Sequence, residues 1–188
     1  MGLGIRKIFR SLNSGVTSMK FSLRKFFLGF DNACLLLKYA DKNALTGILR
    51  KHGASVGENC DIETGLTFHN CTDFSNLIIG ANSHVGKNCF FDLAGKVEIG
   101  NNAVISMNTS FLTHINIHKS ELEDIYPSRI SGIKVGDNVY IGAGCILLMG
   151  VEIGSSSLVA AGSTVTKSFE PCSFIAGTPA KFKKTIQK

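Results

Sequence analysis

A chain of 188 residues and 20.2 kDa that is 44% apolar and 18% charged suits one globular domain and excludes disorder for most of its length. Its formal charge of +6 is uneven: residues 1–51 carry ten Lys and Arg against two Asp, residues 52–180 carry six against twelve acids, and residues 181–188 carry four Lys. Basic ends around an acidic body with no basic stripe argue against nucleic-acid binding.

No apolar run near the N-terminus approaches the ~20 residues of a spanning helix, and the runs Phe26–Phe30 and Ala33–Leu37 fall short of a secretory core. Arg6 stands where a myristoylation signal needs Ser or Thr, so a cytoplasmic location is expected. The cysteines at 34, 60, 71, 89, 145 and 172 form no C-x-x-C pair and are expected to be reduced, buried and small-apolar in role.

Residues 1–51 mix Leu, Phe and Ile with Lys and Arg in a pattern that predicts short amphipathic helices over 20–30 and 33–50. This basic arm is expected to pack against the main body or a sister subunit, in preference to an anionic membrane surface. From residue 52 the periodicity changes. Val135, Ile141, Leu147, Ile153, Val159 and Val165 recur at steps of six; Ile79, Val85 and Phe91, then Ile99, Ile105 and Phe111, keep the same step, and Val56, Ile62 and Phe68 form a first set. A period of six is neither helical nor simple strand alternation. It fits short flat strands joined by corners, three to a triangular coil of about 18 residues, with each aliphatic side chain pointing inward and stacking on its equivalent in the next coil. Gly57/Asn59, Gly80/Asn82, Gly86/Asn88, Gly100/Asn102 and Gly136/Asn138 are expected at corners, where left-handed backbone angles are needed.

The repeat stops between Phe111 and Val135, leaving a long loop over 112–134 that carries His114 and His118, as well as Glu121, Glu123, Asp124, Tyr126 and Arg129. A histidine is mostly neutral at pH 7 and accepts a proton from a hydroxyl or amine, so one placed where a coil opens is a candidate general base. No Gly-rich phosphate loop opens a helix, and no nucleotide fold is expected. The four Lys of residues 181–188 make a basic tail.

The hexads, the loop opening with Thr113-His114, Ile133-Lys-Val-Gly-Asp-Asn-Val-Tyr-Ile-Gly-Ala-Gly144, Val159-Ala-Ala-Gly-Ser-Thr-Val-Thr-Lys167 and Ala176-Gly-Thr-Pro-Ala-Lys181 together resemble the hexapeptide-repeat acetyltransferases over residues 52–184. The pattern is most similar to the maltose, galactoside and capsular polysaccharide O-acetyltransferases. The resemblance implies an all-β fold, a left-handed parallel β-helix over 52–180 with the helical arm appended. It further implies a homotrimer that holds acetyl-CoA between neighbouring prisms, with no metal. His114 receives the role of general base; His118 is assigned to loop structure, and His52, His69 and His84 to surface or packing. Cofactor contacts fall on Tyr140, where relatives often carry Trp, on the backbone of Ala143 and Gly144 as oxyanion donors, and on Ala161 along the pantetheine arm. Thr166, Lys167, Lys181 and Lys184 fall at the nucleotide end. Asp92, and less strongly Asn108, fall where sugar-acetylating relatives hold an acceptor hydroxyl.

The implied activity is direct acetyl transfer to a hydroxyl of a sugar or polysaccharide precursor. Serine, xenobiotic and sugar-nucleotide N-acetylation are the enzymatic alternatives. A γ-type carbonic anhydrase needs three zinc-binding histidines, for which His84, His114 and His118 are the only candidates and are wrongly spaced. A non-enzymatic β-helix scaffold has no need of the loop histidine.

Overall fold

A computed structural model describes residues 2–187, with side chains from residue 13 onward. Helices occupy the first quarter. Helix α1 (Gly2–Leu28) is one 27-residue helix, well beyond the short helix expected over 20–30. It ends at Gly29, whose φ of 86° is open to glycine and strained for other residues. Helix α2 (Phe30–Cys34) and a 3-10 turn (Leu37–Tyr39) follow. The helix expected over 33–50 is thus broken. Asp41 restarts it: extended at φ −68° and ψ 159°, it accepts the Asn43 and Ala44 N–H groups at 3.0 and 3.1 Å and caps α3 (Lys42–Lys51).

The hexads form coils. The first contains β1 (Ser55–Val56), β2 (Asp61–Ile62) and β3 (Thr67–His69). The second contains β4 (Leu77–Ile79), β5 (His84–Val85) and β6 (Phe90–Asp92), and the third β7 (Val97–Ile99), β8 (Val104–Ile105) and β9 (Ser110–Leu112). A ribbon of β10 (His114–Ile115) and β11 (Arg129–Ile130) interrupts them. The fourth coil is β12 (Ile133–Val135), β13 (Tyr140–Ile141) and β14 (Ile146–Leu148); the fifth is β15 (Glu152–Ile153), β16 (Leu158–Val159) and β17 (Thr164–Val165). The chain closes with β18 (Ser173–Gly177) and β19 (Ala180–Thr185).

Equivalent strands stack in parallel into three sheets, the faces of a left-handed β-helical prism. The first sheet runs β1-β4-β7-β12-β15, the second β2-β5-β8-β13-β16-β18-β19, and the third β3-β6-β9-β14-β17. Within the second sheet only β19 runs antiparallel, against β18, so part of the expected basic tail is an edge strand. Of the hexad side chains, Val56 is half-buried and the rest are buried; Val85, Ile105, Ile141, Ile153 and Val165 are fully so. The core is therefore a column. An aromatic thread extends it into the arm, with successive ring centroids 4.9–5.7 Å apart from Phe111 through Phe91, Phe68, Phe74 and Phe30 to Phe21. All six cysteines are free, but Cys60, Cys71 and Cys172 are only half-buried, short of the full burial expected.

At the corners the two residues of each Gly-x-Asn pair divide the work. Asn59, Asn82, Asn88, Asn102 and Asn138, joined by Asn70 and Asn108, take the left-handed angles, with φ between 53° and 59°. The paired glycines do not share that conformation; they are small because the next coil passes directly over them. A Cβ on Gly80 would stand 2.5 Å from the Gly100 carbonyl carbon. Gly80→Ala is accordingly expected to destabilise the prism by about 1–3 kcal/mol in urea unfolding. Gly47→Ala, in α3 with nothing within 4 Å of the new methyl, should be neutral or stabilising by up to about 1 kcal/mol.

Candidate active site

The prism opens after β9. Thr113 is fully buried and knots the opening: its hydroxyl lies 2.9 Å from the Asp92 carbonyl and 3.0 Å from Asp92 Oδ2, and it accepts the Gly95 N–H at 2.9 Å. The next residue, His114, starts the ribbon, paired antiparallel with Ile130. Thr113 is thus fixed inside while His114 is half-exposed at the mouth of the loop.

Asp92 comes from the coil below, at the end of β6. It is 2% exposed, and both oxygens are engaged. Oδ2 accepts from the Thr113 N–H at 2.8 Å, the His114 N–H at 3.1 Å and His114 Nδ1 at 2.5 Å; Oδ1 accepts from Asn70 Nδ2 at 2.9 Å and the Ala94 N–H at 3.3 Å. Burial pushes this carboxyl up, but the hydrogen bonds from His114, Asn70, Thr113 and Ala94 outweigh it and hold the pKa at about 2. Asp92 is therefore an anion at neutral pH. With Nδ1 donating to it, the lone pair of His114 sits on Nε2, which faces away from the carboxylate. Asp92 was expected to hold an acceptor hydroxyl; in the structure its two oxygens meet protein donors, His114 Nδ1 among them.

Asn70 was not anticipated. Its Nδ2 lies 3.4 Å from Nδ1 and 3.3 Å from Nε2 of His114, nearly equidistant, which sets the amide against the ring instead of on the Nε2 lone pair. The signal was in the register, because His69 of β3 stacks on Asp92 of β6 and brings the following residue to the same corner. Asn108, by contrast, is an exposed left-handed corner whose N–H bonds the Lys87 carbonyl at 2.9 Å, so its backbone role already explains the residue type.

The other candidates divide between two edges of the prism. Thr166 and Lys167 follow β17 at the edge between the third and first sheets, the same edge from which His114 emerges; the Lys167 ammonium is 5.7 Å from the Phe169 ring centroid. Ala143, Gly144 and Ala161 lie on the edge between the second and third sheets. There Gly162 N–H bonds the Ala143 carbonyl at 2.8 Å, and the region beyond Gly144 and Gly162 is open. The Gly144 N–H is donated to the Met107 carbonyl at 2.9 Å. The Ala143 N–H has no such partner among the described residues. Tyr140 is exposed on the second sheet and accepts Ser106 Oγ at 3.2 Å, while Lys181 and Lys184 lie on its terminal strand, with Lys184 6.0 Å from the Phe174 ring centroid.

The remaining histidines are occupied elsewhere. His118 is exposed with Nδ1 3.9 Å from Glu123, His84 bonds Asp61 at 3.0 Å, and His52 packs 4.8 Å from the Phe21 ring. His69 is exposed beside Phe90. Among the described residues, no three His, Cys, Asp or Glu side chains converge as metal ligands.

Comparison with known proteins agrees with this architecture. The family described as the hexapeptide repeat of succinyl-transferase matches residues 76–111 and 132–167. Galactoside O-acetyltransferase of Escherichia coli is 31% identical over 150 residues, covering 74% of this chain and 67% of that one. A Saccharomyces cerevisiae protein is 33% identical over 156 residues (80% and 75%), and a Schizosaccharomyces pombe protein 38% identical over 120 residues (57% and 55%); both bear provisional acetyltransferase names. The match therefore spans just over half of the S. pombe protein. Among solved structures, a galactoside acetyltransferase in complex with coenzyme A superposes with a TM-score of 0.72 at 25% identity, covering 100% of this chain and 84% of that one. A maltose O-acetyltransferase of Clostridium difficile gives 0.69 at 25% identity, covering 96% and 89%.

Proposed function

Since this chain belongs to the hexapeptide-repeat acetyltransferases, we propose that it moves an acetyl group from acetyl-CoA to a hydroxyl of a sugar or polysaccharide precursor, with His114 as general base. The observation that carries the reading is the His114–Asp92 pair, a half-exposed imidazole with Nδ1 held by a buried anion at 2.5 Å and Nε2 3.3 Å from the Asn70 amide. Acetyl-CoA supplies an activated acyl group with a thiolate leaving group. His114 Nε2 takes the proton of the acceptor hydroxyl as its oxygen attacks the thioester carbonyl, and Asp92 stabilises the imidazolium that forms. The Ala143 N–H supplies a donor for the charge that develops on the carbonyl oxygen. Collapse expels the thiolate, and no acyl-enzyme is needed.

The division of candidates between two edges has a structural consequence. Within one prism, the Ala143/Ala161 edge and the His114/Lys167 edge flank the third sheet, whose strands of two or three residues make a face about 10 Å wide. Rotational symmetry with heterologous contacts sets one edge of each copy against a different edge of the next. A threefold assembly of parallel prisms would thereby complete the site, and three such sites would form per trimer. Tyr140, Ala161, Lys181 and Lys184 would then line one wall of the groove for CoA, and Thr166 and Lys167 the other.

The test is a screen of sugar acceptors with acetyl-CoA and detection of released thiol, coupled to acetyl-CoA binding. A saccharide hydroxyl should be acetylated. Lys167→Ala and Lys184→Ala should each weaken acetyl-CoA by about 0.5–2 kcal/mol, with residual binding sensitive to salt, as expected for exposed point charges against phosphate. Unchanged affinity in both variants would remove these lysines from the groove.

A further inference from the structure

Helix α1 has two faces with different fates. Phe21 is fully buried against Phe30, Phe74 and His52, and fastens the helix to the prism. On the opposite side, Val16, Met19, Leu23 and Phe26 are exposed, Phe26 by 81%, and Phe27 beside them by 72%. In the sequence alone, Ile5, Phe9 and Leu12 keep the same alternating steps of four and three. From Val16 to Phe26 the exposed side chains make an apolar stripe on this 27-residue helix. Near its C-terminal end the stripe widens. Leu28, Leu35 and Tyr39 are exposed there, and Lys20, Leu23, Arg24, Phe27, Leu28 and Leu36 line an open groove of about 400 Å³. A monomeric surface rarely leaves so large an apolar patch unmet.

The charges select among the surfaces that could cover it. Residues 2–28 hold six bases (Arg6, Lys7, Arg10, Lys20, Arg24 and Lys25) and no acid. A second α1 laid along the stripe would bring six positive charges against six, with no carboxylate on either helix to answer them. The acidic body of a sister chain offers charge of the right sign, but its exposed large apolar side chains are divided among the loop (Ile115, Leu122, Ile125, Tyr126 and Ile130), the second sheet (Val104, Tyr140 and Phe182) and the third (Ile146), and make no single row to match the stripe. An anionic lipid surface meets both requirements, with acyl chains beneath the stripe and negative headgroups beside the bases. Among the described residues no helix is long and apolar enough to cross a membrane, so the contact would be interfacial.

We propose that α1 is a membrane-surface anchor that lays its Val16–Met19–Leu23–Phe26 stripe into an anionic bilayer while Phe21 holds the prism to its back. This goes beyond the acetyl-transfer reading and stands independently of it. The expectation favoured packing of the arm on protein over a membrane surface; the Phe21 face packs in that way, and the proposal concerns the opposite face.

The experiment is flotation of the full-length protein with vesicles of phosphatidylcholine alone or with about 30% phosphatidylglycerol, at about 0.05 M and 0.5 M salt. Binding should require phosphatidylglycerol and fall at high salt. Phe26→Ser combined with Phe27→Ser, and separately Lys20→Glu combined with Arg24→Glu, should each reduce vesicle affinity about tenfold or more, with unchanged melting temperature and unchanged mass in light scattering. No flotation of the wild type, or equal flotation with the neutral vesicles, would overturn the proposal. So would a Phe26/Phe27 variant that keeps its vesicle binding but changes its oligomeric mass, which would make the stripe a seam between copies.

Discussion

His114→Ala is expected to lower kcat by about 10²- to 10⁴-fold and to leave acetyl-CoA affinity nearly intact, because proton removal belongs to the chemical step. Within one prism, Thr166 and Lys167 share the edge of His114, and the other cofactor candidates lie apart from the imidazole. Ala143 and Ala161 occupy another edge, and Lys181 and Lys184 the last strand of the second sheet, so truncating His114 disturbs none of them. His118→Ala is the internal control: four residues along the same loop, it is exposed with Nδ1 3.9 Å from Glu123, and its loss should change kcat by less than about twofold. Full activity in the variant, or equal losses at both positions, would return the loop to the status of an interaction surface.

What was legible in the chain follows from how each contact is encoded. The core needs only an aliphatic residue every six positions, so Val135, Ile141 and Ile153 announced their inward orientation by spacing alone. The corners were half legible. Asn marks a left-handed angle directly, whereas the small size of Gly80 answers to Gly100, a residue one coil away. The arm was misjudged because its helix limits are set by single residues, Gly29 and Asp41, whose effect apolar periodicity does not register. The same applies to the site. His114 could be singled out by its place at the break in the repeat, but the residues around it come from two earlier coils, Asp92 22 positions and Asn70 44 positions before it. A carboxylate that holds a base and one that grips a substrate look alike in sequence; the structure adds the contacts of Asp92 with His114, Thr113 and Asn70.

Asp92→Asn tests that distinction. The substitution keeps size and shape but replaces one acceptor oxygen with a donor. An amide NH2 at the Oδ2 position would face the N–H groups of Thr113 and His114, so it turns to the Oδ1 side, where it forgoes the longer 3.3 Å bond from the Ala94 N–H and meets the rotatable amide of Asn70. Nδ1 of His114 then keeps a neutral acceptor and loses the anion that stabilises the imidazolium. The expected cost in kcat is about 10²- to 10³-fold, with acetyl-CoA affinity unchanged, as for a residue that positions and supports the base without touching substrate. A second readout comes from folding. An ordinary carboxylate titrates near pH 3.9 when unfolded, and Asp92 is held at about 2 in the native protein, so its ionisation contributes about 2–3 kcal/mol at neutral pH. Because the native pKa is the lower one, that contribution is complete above about pH 4 and is lost as the pH falls toward 2. The difference in urea stability between wild type and Asp92→Asn should therefore be largest at neutral pH and shrink through that interval. A folded Asp92→Asn protein with wild-type kcat would show that the buried carboxylate serves the fold alone and leave His114 to act without it.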